Sequence, residues 1–303
     1  MQRRYVTVDV FTDRAFGGNQ LAVILDAGGL STAQMQAIAA EFNYSETTFV
    51  LPPQQAGHDA QVRIFTVNRE LPFAGHPNVG TAFVLATRAA KPPVRLLFEE
   101  GAGLVPVEIL TEGGKVIGSE LTAPRPVSKL SILSAGQAAA CLSLAAADIV
   151  TDRHPPQIVS VGLPFLVVEV ASRDAVKRAK PDAAAFASTF PCDGSDAVYF
   201  YTRDVPPAEA CDLQARMFHP GASGLSEDPA TGSATAACAA LLAELASERD
   251  GEVKLRIGQG VDMGRPSLLL TRVRKANGEV VSTHVGGGCA PMMEGTFGLA
   301  GEG

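Results

Sequence analysis

Apolar and polar residues alternate with a period of two along most of this chain. Near the start Val6, Val8 and Val10 alternate with Thr7 and Asp9, the signature of a strand with one buried face. The same style marks strands at 5–11, 20–25, 47–51, 61–66, 94–99 and 104–110. A second series follows at 157–161, 165–170, 197–202, 212–218, 252–257, 267–273 and 279–285. One amphipathic helix interrupts the first series at 31–43: Ser31 and Gln34 form a capping box, Met35, Ile38 and Phe42 make one apolar stripe, and Asn43 can end the helix in the left-handed region. The Pro-rich stretch 122–127 reads as a linker. It predicts an N-terminal half over 1–125 and a C-terminal half over 126–289, with a last strand at about 290–303 packing back onto the first half.

Two stretches break the strand pattern in the same way. Residues 70–86 read ELPFAGHPNVGTAFVLA and residues 227–243 read EDPATGSATAACAALLA; six of the seventeen aligned positions are identical, which suggests a duplicated unit. Each copy is a Pro and Gly-rich turn followed by a helix-length run that is apolar or small nearly all round. A helix without a polar face must be enclosed by other structure. Amid so many strands, this predicts an α+β fold of two pseudo-symmetric halves, each a curled β-sheet or barrel wrapped around a central α-helix, at about 77–90 and 231–246, with the halves facing each other across a cleft.

Composition narrows the functional classes. The 303 residues are 46% hydrophobic, enough for two cores, and the net charge of −7 lacks the basic footprint that nucleic acid requires. No run is long and apolar enough to span a bilayer, and the first residues alternate as a strand rather than as an export signal, so a cytoplasmic protein without a membrane partner is expected. Cys141, Cys192, Cys211, Cys238 and Cys289 contain no CxxC pair, and the five histidines show no HExxH or HxH spacing, so neither a metal site nor a disulfide framework is predicted.

Candidate chemistry gathers at the two helix starts. Free N–H groups and the positive dipole end favour a carboxylate or phosphate there, which predicts a small anionic metabolite as ligand. Gly75 and Gly232 allow close backbone approach, His76 aligns with Ser233, and Asp228 aligns with Leu71. The plainer alternative makes both motifs helix-starting turns, with Pro77 in a first turn and Ser233 as a cap. His219, just before a Gly-rich turn, is the one other histidine with a candidate role. Glu46 lies where a helix stops and a strand begins, on the strand face of Thr48 and Val50 and opposite Phe49 and Leu51. Apolar surroundings would raise its pKa and suit it to take and return a proton; the alternative is a solvated strand-end carboxylate.

Six segments, VDVFTDRAFGGNQLAV (8–23), NYSETTFV (43–50), ELPFAGHPNVGTA (70–82), ARMFHP (215–220), EDPATGSA (227–234) and QGVDMGRPS (259–267), occur in an order that resembles the PhzF-like family of phenazine-biosynthesis isomerases. The resemblance implies a diaminopimelate-epimerase-like fold, a homodimer, and isomerisation of trans-2,3-dihydro-3-hydroxyanthranilate without metal or organic cofactor. By the same resemblance Glu46 is the acid/base, His76 and Asp228 handle protons and substrate together with Ser233, and Gly75 and Gly232 offer backbone donors to the substrate carboxylate. Related racemases use a cysteine from each half, whereas Ala74 and Ala230 stand in the corresponding loops here. Val67 and the GGNQ wording depart from the family pattern and leave the substrate open. An epimerase or dehydratase of a hydroxy or amino acid, and a non-catalytic anion-binding protein, are the competing readings.

Overall fold

In chain order the elements of the computed structural model are β1 (Gln2–Val10), β2 (Asn19–Ile24), α1 (Thr32–Phe42), β3 (Glu46–Leu51), β4 (Ala60–Phe65), β5 (Glu70–Leu71), α2 (Gly75–Arg88), β6 (Arg95–Glu100), β7 (Gly103–Glu112) and β8 (Lys115–Thr122). They continue with β9 (Ser128–Ile132), α3 (Ala135–Cys141), β10 (Ile149–Val150), β11 (Gln157–Ser160), β12 (Pro164–Val170), α4 (Arg173–Arg178), α5 (Ala183–Thr189), β13 (Val198–Thr202), β14 (Leu213–Gly221), β15 (Gly224–Glu227), α6 (Gly232–Leu245), β16 (Gly251–Gln259), β17 (Ser267–Ala276) and β18 (Glu279–Gly298). The structure describes residues 2–207, 209–221 and 224–299. Two compact units divide the chain: one runs to Leu121 and resumes at Gly286, and the other is Thr122–Val285. The expected strand at about 290–303 is, as far as residue 298, the second part of β18; residues 300–303 lie outside the described ones.

In the first unit the pairings β1–β2, β2–β3, β3–β4, β4–β6, β6–β7, β7–β8, β8–β18 and β18–β1 close a circuit of eight strands. Helix α2 packs against β1, β2, β3 and β7, as an enclosed helix must. The fit is close at Gly80, where a Cβ would stand 2.6 Å from Leu21 and 2.7 Å from Val10, so only glycine lets the helix lie on β1 and β2. Ala82 and Ala86 of α2 join Val62, Ile64, Phe98 and Val107 in the inner core. On the other face of the sheet, Met35, Ile38 and Ala39 of α1 cover Ile24, Phe49 and Phe65. Alternation alone makes β1 half-exposed, yet Thr7 and Asp9 are also buried. Their polar atoms are used: Thr7 Oγ1 accepts from Met293 N at 3.1 Å and Asp9 Oδ2 from Phe16 N at 2.8 Å.

The second unit repeats the plan around α6, which packs against β11, β12, β16 and β17. Six of the fourteen residues of this helix are alanine, and its small side chains let strands approach from several sides. Its C-terminal carbonyls at Ala243 and Ala246 accept from the buried Lys275 ammonium at 2.7 and 2.9 Å, a cation placed at the negative end of the helix. Outside the sheet, α3, α4 and α5 cover Ile158, Leu166, Val168, Val198 and Phe200. Periodicity missed these helices because six or seven residues span too few turns to show a stripe. Their caps were readable: Ser134 with Gln137 forms a capping box, and Ser172 and Asp182 accept from the third helical N–H.

The repeat seen in sequence is structural and longer than the aligned window. Both central helices have 14 residues, and each begins at its aligned glycine, Gly75 or Gly232, two residues before 77 in the first case and one after 231 in the second. The strands before them match as well. Arg63 lies over Phe65 and pairs with Glu70, while Arg216 lies over Phe218 and pairs with Glu227. In both units that phenylalanine stands opposite that glutamate across a hairpin, Phe65 with Glu70 and Phe218 with Glu227.

Candidate active site

Glu46 owes its position to the end of α1. Asn43 takes the left-handed conformation at φ 53° and donates its N–H to Ala39 O, which stops the helix and starts β3 three residues later. From there alternation sets the faces. Thr48 turns to α2, its hydroxyl 2.8 Å from that of Thr81, while Phe49 turns to α1. Glu46 shares the face of Thr48, and its Oε2 lies 3.4 Å from Nε2 of His76 in the first turn of α2.

The environment of His76 defines what this contact is. Its side chain is 6% exposed, and burial pushes its pKa down to about 3, with a bond to the Gln20 backbone opposing in part. The ring is therefore neutral at physiological pH and no salt bridge forms. One edge is held, with Nδ1 3.4 Å from Asn19 Nδ2. The other nitrogen, Nε2, is buried without a hydrogen-bond partner. A neutral imidazole with one unsatisfied nitrogen beside a carboxylate that is 18% exposed leaves a position where a substrate can complete the bonding. Gly75 is the first residue of α2, and Ala74 before it contributes no side-chain cap.

In the second unit Asp228, Gly232 and Ser233 also come together, at the start of α6. Thr231, not Ser233, is the residue before the helix; Ser233 is its second residue and half-buried, so it is not a cap. The Thr231 hydroxyl donates to Asp228 Oδ2. Gln259, fully buried, organises the rest: Oε1 accepts from Thr231 N at 3.1 Å, and Nε2 donates to Asp228 O at 2.8 Å and to Thr231 Oγ1 at 3.0 Å. The next residue, Gly260, has φ 72°, and a Cβ there would meet Pro229 O at 2.5 Å. The same carbonyl accepts from Ser267 Oγ at 3.0 Å. Asn19, Thr231 and Gln259 were not singled out from sequence; the one signal for Gln259 was its place in QGVDMGRPS beside a glycine.

The remaining histidines have other partners. His58 contacts Glu99, His154 contacts Tyr201, His219 contacts the Pro220 carbonyl, and His284 contacts Thr122 and Ser282. Among the described residues no group of three or more His, Cys, Asp or Glu is gathered as metal ligands, and no helix is long and apolar enough to cross a membrane. All five cysteines are unpaired; Cys238 lies inside α6, where burial pushes its thiol up and away from thiolate chemistry.

Comparison with known proteins decides the family. The family profile of PhzC-PhzF, phenazine biosynthesis-like protein, matches residues 8–295. The chain belongs to this family. It is 38% identical to an uncharacterized isomerase of Mesorhizobium japonicum over 97% of this chain and 98% of that one. It is 37% identical to the trans-2,3-dihydro-3-hydroxyanthranilate isomerase of Pseudomonas aeruginosa, over 96% and 98% of the two chains. The crystal structure of a Bacillus anthracis phenazine biosynthesis protein of the PhzF family superposes with a TM-score of 0.87 at 25% identity, covering 99% of this chain and all of that one. This PhzF-family chain is accordingly an isomerase with the diaminopimelate-epimerase-like fold.

Proposed function

We propose that Glu46 is the general acid/base of a proton-moving isomerisation on a small carboxylate-bearing metabolite, carried out without metal or organic cofactor. The observation that carries this reading is the Glu46–His76 contact: a partly exposed carboxylate 3.4 Å from a neutral, buried imidazole nitrogen that has no other partner. With a pKa near 3, His76 is a poor base at neutral pH, so the two groups divide the work. Glu46 takes a proton from a carbon next to an unsaturated system and returns it elsewhere, and His76 holds the substrate through Nε2. Asp228 and Ser233 hold polar groups of the substrate, and the backbone N–H groups at Gly75 and Gly232 stabilise its carboxylate and the charge that develops. The Pseudomonas aeruginosa relative makes trans-2,3-dihydro-3-hydroxyanthranilate the first substrate to try.

Incubation with that compound in heavy water, followed by mass spectrometry, tests the reading. Product carrying solvent deuterium at unchanged elemental composition is expected, and Glu46→Gln should lower turnover by roughly 10²–10⁴-fold while substrate affinity stays nearly constant. Undiminished turnover in that variant would remove Glu46 from the mechanism. A product lighter by one water would replace isomerisation with dehydration.

A further inference from the structure

A second carboxyl group of the first unit is as unusual as Glu46 and takes no part in the chemistry above. Glu100 ends β6, and both of its carboxylate oxygens are buried without a hydrogen-bond partner. Beside it lies Asn78, fully buried in the first turn of α2, whose Oδ1 is also buried and unpartnered. Three unpartnered acceptor atoms thus meet in one desolvated place, where the Asn78 amide is the one donor that faces the carboxyl. Such an arrangement is costly when the carboxyl is ionised and is satisfied when it carries a proton, because the acid O–H can then donate to Asn78 Oδ1.

This spot bears on the helix start. Asn78 Nδ2 donates to the carbonyl of Ala74, the residue before α2, at 2.9 Å. The turn after Glu100 grips the same approach: Ala102 N donates to Pro72 O at 2.9 Å, and a Cβ on Gly101 would lie 3.0 Å from Pro72 Cα. Glu100 and Asn78 therefore join the β6–β7 turn to the segment that delivers Gly75 and His76.

We infer that Glu100 is a positioning residue that works in its neutral form, its acid proton bridging to Asn78 so that the first turn of α2 is held in the geometry that presents His76. When Glu100 ionises, the bridge to Asn78 Oδ1 is lost and the amide N–H groups are drawn further to the charge, in competition with their bond to Ala74 O. Burial raises the Glu100 pKa to about 8, while a contact from Asn78 lowers it in part. The facing group from α2 is Asn78, and among the described residues no charged side chain shifts the Glu100 carboxyl. Glu99 next to it is occupied by His58 and the amides of Gln54 and Gln55, and Glu70 of β5 pairs with Arg63.

The first readout is independent of any activity. With ¹³C-carboxyl-labelled glutamate, the wild-type protein should show one signal titrating near pH 8 that is missing in Glu100→Gln. Because the folded pKa lies above the ordinary value, folded protein holds this proton longer than unfolded chain. Stability should therefore fall as pH rises from about 4.5 to about 8 and level off beyond, and Glu100→Gln should flatten that slope. Amide protection at 75–79 should drop across the same midpoint. A Glu100 signal titrating near 4.5 overturns the inference. So does a midpoint that moves with Na⁺, K⁺ or Ca²⁺, which would make the three oxygens an ion site. The consequence for turnover rests on the proposed function: wild-type rate should fall about tenfold per pH unit above the midpoint, and Glu100→Gln should lose that limb. A missing rate effect with an intact carboxyl titration would count against the role of His76 and leave the proton on Glu100 in place.

Discussion

The two central helices begin at aligned glycines, have equal length and follow the same Arg-Phe-Glu hairpin, yet their first turns are built on opposite principles. At α6 the polar groups of Asp228 and Thr231 are bonded to one another, to Gln259 or, through Pro229, to Ser267. At α2, His76 Nε2 is buried without a hydrogen-bond partner. Each unsatisfied buried group costs about 1–3 kcal/mol, so the second arrangement persists only where something other than stability maintains it. Of two equivalent helix starts, one is a rigid, bonded holder, and the other leaves a ring nitrogen of the candidate site short of a partner.

His76→Gln breaks this contrast most sharply. An amide cannot reproduce both the held edge and the unpartnered nitrogen of the ring, and turnover should fall by roughly 10²-fold, measured as kcat at saturating substrate. The same variant should change acid stability. The folded pKa of about 3 lies below the ordinary 6.5, so His76 contributes stability that is complete above 6.5 and lost as pH falls toward 3. Thermal unfolding between pH 4 and 7 should be less pH-dependent in the variant. An unchanged slope would mean that the buried neutral ring is not what the protein holds in solution.

Asp228→Asn is the next test. The asparagine oxygen can still accept from Thr231, so the turn should survive in circular dichroism and melting temperature, while loss of the charge lowers turnover about tenfold. Full activity would leave Asp228 as a helix-start residue only. Gln259→Ala probes the rigid side by another route. It strips bonds from Thr231 N and Asp228 O inside a buried turn, and denaturant unfolding should report a loss of about 1–3 kcal/mol. A loss near zero would show that α6 does not depend on this brace and that the two helix starts differ less than their bonding suggests.

Much of this was legible in the chain. Alternation gave the faces of β3, and therefore that Glu46 shares a side with Thr48. The all-apolar segments announced two enclosed helices, and the gapless match of 70–86 with 227–243 announced their equivalence. Local chemistry suffices for such features, because strand period, capping and enclosure are properties of neighbouring residues. Other features were hidden for a physical reason. Asn19 and Gln259 act on residues 28 or more positions away, Glu100 and Asn78 are 22 apart, and no spacing rule connects them.

What sequence determined, then, is which side chains exist at the two helix starts and on which face each must lie. The tertiary structure decided which are desolvated and which are answered: it buried His76 until its ring stayed neutral, brought Gln259 over Asp228 and Thr231, and shut Glu100 away with Asn78. Burial depends on what the rest of the chain places around a group, so the charge state of these residues is a property of the folded protein and is not written at their own positions.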